Sequence, residues 1–190
     1  ACTGKDQKEW LPDGTFGFDD REDSKIIMSS PEGRYGVVTL ALDCYCHSAA
    51  AGDINGGGHP DIFAPDALQY AQNEKGEWLP SRGKKAYFLI NDGEGNFEIS
   101  HEGLPDEVFS NKIWSTELVD FDNDDFLDLW FAGSGTQYIA FGDGRGDFKG
   151  RVISLPNDTK YADPMDMLYV DGNLYVYSIW LDFSKPNYYY

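Results

Sequence analysis

Asp120-Phe121-Asp122-Asn123-Asp124-Asp125-Phe126-Leu127-Asp128 runs directly into Leu129-Trp130-Phe131-Ala132-Gly133, and this junction decides the fold. Counted from Asp120, carboxylates stand at positions 1, 3, 5 and 9. Like charges this close are unfavourable unless a cation sits among them. Calcium takes about six to eight oxygen ligands at roughly 2.3–2.6 Å. Asp120, Asp122, Asp124 and Asp128 offer four side-chain ligands, and the Phe126 carbonyl a fifth. An EF-hand loop would need a bidentate Glu at position 12 and then a helix. Position 12 here is Phe131, and the run that follows the loop is short, aromatic and β-prone. The reading left is a calcium loop joining two β-strands.

The same frame occurs earlier, in Asp53-Ile54-Asn55-Gly56-Gly57-Gly58-His59-Pro60-Asp61. Asp53, Asn55 and Asp61 match positions 1, 3 and 9, and the His59 carbonyl takes position 7. Gly57 leaves position 5 without a ligand, while Gly58 at position 6 suits the positive φ of a tight loop. In the later loop Asp125 holds that turn position, where Asp is tolerated.

A second element repeats downstream. Asn91-Asp92-Gly93-Glu94-Gly95-Asn96-Phe97 follows the strand-like 86–90, and Gly142-Asp143-Gly144-Arg145-Gly146-Asp147-Phe148 follows 138–141. Both are Asp-Gly-x-Gly-x-Phe hairpin turns with glycine at the φ > 0 positions. The loops lie 67 residues apart and the turns 51, so the first unit carries an insertion of 16, around 66–82. That insertion is either a binding feature or a surface excursion.

Together these pieces resemble the FG-GAP/VCBS repeat family, which includes the blades of the integrin α-subunit propeller. The resemblance covers about residues 34–155. It implies that each repeat is one four-stranded blade of a β-propeller, with the acidic loop joining two strands and binding calcium. It also implies adhesion or ligand recognition rather than catalysis.

The expected fold class is all-β, a β-propeller-like array of four-stranded blades. Many short aromatic and β-branched runs separated by Gly, Asp, Asn and Pro fit this. Residues 1–10 read as a linker or tether and 11–190 as the array, in units of about 34–105, 106–156 and 157–190. The second unit predicts strands over 113–119, 129–132, 137–141 and 148–155. In the third, strands at 167–170 and 174–177 flank Asp171-Gly172-Asn173, with no acidic loop. A strand is expected over 34–42, and 67–73 is the most helix-tolerant segment. Leu11-Pro12-Asp13-Gly14-Thr15-Phe16 reads as a shortened turn of the same kind. Propellers typically have about four to eight blades, and about three are found here. Three explanations stand: a piece of a longer propeller, a ring completed by oligomerisation, or a compact β-fold that borrows the motif.

The net charge of −18 excludes the basic stripe that nucleic-acid binding needs. It equally disfavours bare anionic membranes, and no apolar run is long enough to span a bilayer. Ala1-Cys2-Thr3-Gly4 resembles the junction where bacterial lipoprotein signals are cut; the alternatives are an accidental start of a trimmed chain, or Cys2 in a disulfide. The three cysteines are Cys2, Cys44 and Cys46, and a bridge from Cys2 to Cys44 or Cys46 is expected in a secreted or cell-surface setting. Cys44-Tyr45-Cys46-His47 is one residue short of a c-type haem site, and its spacing fits no usual zinc site.

No Gly-x-Ser-x-Gly elbow or His-Glu-x-x-His helix occurs, and His47, His59 and His101 form no catalytic pattern. The closest acids are already explained as metal ligands, so an enzyme is not expected. Trp114 and Trp130 flank the loop and read as core, while Trp78 in the insertion is the recognition candidate. The expected function is an extracellular calcium-binding module for a protein or glycan ligand, with calcium structural. The alternatives are a structural subunit of a ring or filament, and an accessory domain of a carbohydrate-processing enzyme.

Overall fold

The computed structural model describes residues 8–10, 15–18, 24–29, 32–42, 46–65, 70–73, 78–80, 86–133, 135–156 and 162–180. The chain is all-β. Its strands are β1 (Lys8–Trp10), β2 (Thr15–Phe18), β3 (Ser24–Ser29), β4 (Tyr35–Leu40), β5 (Ala50–Gly52), β6 (Asp61–Pro65), β7 (Tyr70–Asn73) and β8 (Trp78–Pro80). They continue as β9 (Ala86–Asn91), β10 (Phe97–Ser100), β11 (Ser115–Val119), β12 (Asp128–Gly133), β13 (Thr136–Phe141), β14 (Arg151–Ser154), β15 (Ala162–Val170) and β16 (Asn173–Trp180). One short helix, α1 (Asp106–Ser110), precedes β11.

Two four-stranded antiparallel sheets form the centre. The first has the order β5-β6-β9-β10 and the second β11-β12-β13-β14. The β3–β4 and β15–β16 hairpins each form a two-stranded sheet. The insertion does not enter the first sheet: β7 and β8 join β1 and β2 in a separate sheet of order β1-β2-β7-β8.

Residues alternate between faces along a strand, and here both faces are buried. In β12, Leu129 and Phe131 point to one core, Trp130 and Ala132 to another. In β9, Ala86 and Phe88 face the shared core, Tyr87 and Leu89 the opposite side. The main core thus lies between the two central sheets, closed by Leu104, Val108, Ile113 and Phe148. The β3–β4 hairpin covers the outer side of the first sheet, through Ile26, Val38 and Leu40. The β15–β16 hairpin covers the outer side of the second, through Met167, Leu174 and Val176. The result is a stack of four layers. Successive layers bring β11 against β5 on one side and against β15 on the other.

The strands predicted for the second unit all form, as does the hairpin around Asp171 (φ 51°) and Gly172 (φ 74°). The segment 67–73 does not favour a helix where it is described: Tyr70–Asn73 is strand β7, since pairing with β2 and β8 overrides a weak helical propensity. Lys8–Trp10, read as the end of a linker, is β1. Cys2, Cys44, the 11–14 turn and the side chain of Trp78 lie outside the described residues.

Candidate metal centre

The loop before β12 is built by its first residue. Asp120 Oδ1 accepts hydrogen bonds from the backbone N–H groups of Asn123 (2.7 Å) and Asp124 (3.2 Å), and Oδ2 from Asp125 (3.1 Å). Asn123 and Asp125 take positive φ, 61° and 70°, as Asn and Asp tolerate. Asp124 Oδ1 accepts from the Phe126 N–H at 2.9 Å. This winding brings one carboxylate oxygen each of Asp120, Asp122 and Asp124 within 4.8 Å of one another. Two ligands of one calcium ion can be at most about 5 Å apart, twice the bond length. The three carboxylates therefore fit around one such ion.

Asp128 is held differently. It is fully buried, and its two oxygens accept from Phe121 N–H (2.8 Å) and Gly142 N–H (3.0 Å). It stands outside the three-carboxylate group. Burial pushes its carboxyl above the ordinary range despite those two bonds, and Asp122 and Asp124 add to the rise. A cation at the loop would oppose that rise, so protons and calcium compete here as pH falls.

The first loop repeats this wiring. Asp53 accepts from Gly57 N–H (3.0 Å) and Gly58 N–H (2.8 Å), while Asp61 accepts from Ile54 N–H (3.3 Å) and Asn91 N–H (2.8 Å). Asp61 is fully buried, and burial likewise raises its carboxyl. Asn55 Oδ1 is engaged by Gly57 N–H at 2.7 Å. Only Asp53 and Asn55 stand where the second loop has its three acids.

Position 9 has a part that spacing did not reveal. Asp61 and Asp128 each tie the second residue of a loop to the first residue of the Asp-Gly turn that follows, Asn91 or Gly142. The side chain at position 7 covers the same turn. His59 lies over Gly93 and Phe126 over Gly144, where a Cβ would overlap the ring. Within the turns, Asp92 and Asp143 accept from the N–H groups two and four residues on. Those bonds hold both carboxyls below the ordinary range, the Asn96 amide adding most for Asp92. Loop and turn are thus one unit, present twice.

Arg151 places a cation beside the loop. Its guanidinium lies 3.2 Å from Asp122 Oδ2 and 3.7 Å from the Phe141 ring centre. Trp130 is fully buried, as its strand position implied, and Trp114 is partly buried with His47 edge-on at 4.9 Å. Cys46 is buried and disulfide-bonded. A groove of about 560 Å³ opens between β9–β10 and the 143–149 turn, floored by Phe88 and Ile90 and rimmed by Glu98, Glu102, Arg145 and Lys149. Sequence reading missed it, because its walls come from two sheets. No helix among the described residues is long and apolar enough to cross a membrane. Neither a family model nor a curated protein sequence matches this chain.

Proposed function

We propose that this chain is a calcium-stabilised β-propeller segment of the FG-GAP/VCBS type, an extracellular recognition module rather than an enzyme. The observation that carries the reading is the convergence of Asp120, Asp122 and Asp124 within 4.8 Å, in a loop–turn unit wired twice in the same way. Calcium would be held by those three carboxylates and the Phe126 carbonyl, while Asp128, expected from spacing as a further ligand, ties the loop to the turn that follows. The first loop, with Asp53, Asn55, the His59 carbonyl and Asp61, is the weaker site. The role of the ion is structural: it fixes the entry to β12. The Cys46 disulfide supports a secreted or cell-surface address. A protein or glycan ligand is read as docking in the inter-sheet groove.

Calcium that binds only the folded state at about 100 times its Kd stabilises it by about 2.7 kcal/mol. For a chain of this size that is a rise of about 5–10 °C in the melting midpoint. Asp122→Ala removes most of the rise, and Asn55→Ala removes less. Identical melting curves in calcium and in excess chelator would defeat the reading. Arg151→Gln tests the neighbouring cation. Loss of an exposed ion pair worth about 0.5–1 kcal/mol frees Asp122, so calcium affinity rises about two- to five-fold by titration calorimetry. Unchanged or weaker affinity would show that Arg151 does not compete.

A further inference from the structure

The two acidic loops differ at the residue after position 3. In the second loop that residue is Asn123, whose N–H is tied to Asp120 Oδ1 at 2.7 Å. In the first it is Gly56, whose N–H meets no acceptor among the described residues. Asp53 takes the N–H groups of Gly57 and Gly58 instead. Asn55-Gly56 therefore has an unengaged amide on its second residue. No other asparagine in the sequence precedes a glycine.

This arrangement opens the Asn55 side-chain carbon to attack by the Gly56 nitrogen. Glycine has no Cβ to crowd the approach, and three glycines in succession, Gly56 to Gly58, let the backbone turn toward it. Gly57 N–H already donates to Asn55 Oδ1 at 2.7 Å. That oxygen gains negative charge as the nitrogen adds, so a donor placed on it stabilises the change. Asn55 is half-buried and Gly56 to Gly58 are exposed, so water and hydroxide reach the loop. The second loop lacks this reactivity. Its position 3 is already Asp122, and the N–H groups of Asn123, Asp124 and Asp125 are all held by Asp120.

We propose that Asn55 is a site of spontaneous deamidation, and that its aspartate product gives the first loop the position-3 carboxylate that the second has in Asp122. The second half rests on the calcium reading above. The Gly56 nitrogen gives its proton to hydroxide and bonds to Cγ of Asn55. The Cγ–Nδ2 bond breaks, and the amide group leaves as ammonia with a proton from water, which restores hydroxide. The product is a five-membered imide, and a second water opens it. Cleavage between Cγ and the Gly56 nitrogen gives aspartate on an unchanged backbone. Cleavage between the Asn55 main-chain carbonyl carbon and that nitrogen gives isoaspartate, with one more carbon in the main chain. The net exchange is amide and water for acid and ammonia. In the aspartate form a carboxylate joins Asp53 at the open end of the loop, and calcium affinity rises with the number of charged ligands. The weaker loop strengthens in that fraction of the protein. In the isoaspartate fraction the longer main chain breaks the pattern of bonds to Asp53, and the loop weakens.

The test is incubation of the full chain with chelator in warm, mildly alkaline buffer, followed by peptide mapping in a mass spectrometer. The peptide that carries Asn55 gains about 1 Da, ahead of every other asparagine. Asn55→Gln removes that gain, because its ring closure needs six members, and it leaves the circular dichroism unchanged. Asn55 still intact when other asparagines have converted overturns the proposal. So does the same gain in Asn55→Gln. Asn55→Asp supplies the aspartate product directly. With Asp122→Ala in the background to silence the second loop, it binds calcium about ten-fold tighter than Asp122→Ala alone by titration calorimetry. Conversion at Asn55 with equal calcium affinities upholds the modification and counts against calcium at the first loop. An intact Asn55 together with tighter binding by Asn55→Asp overturns the modification and leaves the calcium reading standing.

Discussion

Asp128→Ala is expected to lower the calcium-free melting midpoint by about 10 °C. The substitution strips the acceptor from two backbone donors, Phe121 N–H at 2.8 Å and Gly142 N–H at 3.0 Å. Leaving a buried donor unpaired costs about 1–3 kcal/mol, and these two are partly buried, so the pair costs about 3 kcal/mol. A chain of this size loses roughly 2–4 °C per kcal/mol. Burying the charge offsets part of what the carboxylate contributes, which is why its carboxyl is pushed up. Asp128→Asn keeps one acceptor and loses less. Asp61→Ala also loses less, since its bond to Ile54 N–H is long at 3.3 Å. Asp122→Ala loses only the exposed pair with Arg151, about 0.5–1 kcal/mol, so its calcium-free midpoint falls far less and the two roles of the loop separate in one set of scans with chelator. A midpoint for Asp128→Ala within about two degrees of the parent would show that the loop–turn tie contributes little.

Gly103→Ala is expected to cost as much for another reason. Gly103 has φ +79° and is buried where the second sheet's turn meets the first sheet, and a Cβ there would fall on the Gly146 carbonyl. That carbonyl has little room to retreat. Gly146 N–H donates to the Ile54 carbonyl at 3.0 Å, and Phe148 N–H to that of Gly103 at 2.9 Å. The left-handed conformation costs about 1–2 kcal/mol and the overpacking about 1–3 kcal/mol. Gly58→Ala is the control: φ is +80°, yet nothing lies within 4 Å. It carries only the first cost, so its urea midpoint moves about half as far or less. Equal shifts for the two variants would show that the sheets part freely at this contact.

The second sheet was the most legible part of the chain. Its acidic loop, its Asp-Gly turn and the apolar runs between them are contiguous, so each strand follows from local pattern. Burial on both faces explains why 129–133 reads as an unbroken apolar run rather than an alternating one. The β3 strand escaped notice because its pattern is only half-buried, with Ile27 facing out. Helix α1 escaped too, since five residues are too few to show a period. The pairing of the insertion with β1 and β2 is a long-range event that no local pattern encodes. At the candidate metal centre, spacing located the three converging acids. It could not separate the clamp at Asp128 from the cluster, because that distinction depends on backbone donors as far away as Gly142.

The contact of the 143–148 turn with Ile54 and Gly103 bears on how such an array can be cut and recombined. Splicing at the boundary between the two sheets would carry away a turn and leave its anchors behind. The recipient would gain an unmoored Phe148, a side chain that is fully buried here. Copying must begin before the preceding acidic loop if the turn is to arrive with its seat. A graft of the second sheet alone would lack the seat of its own turn.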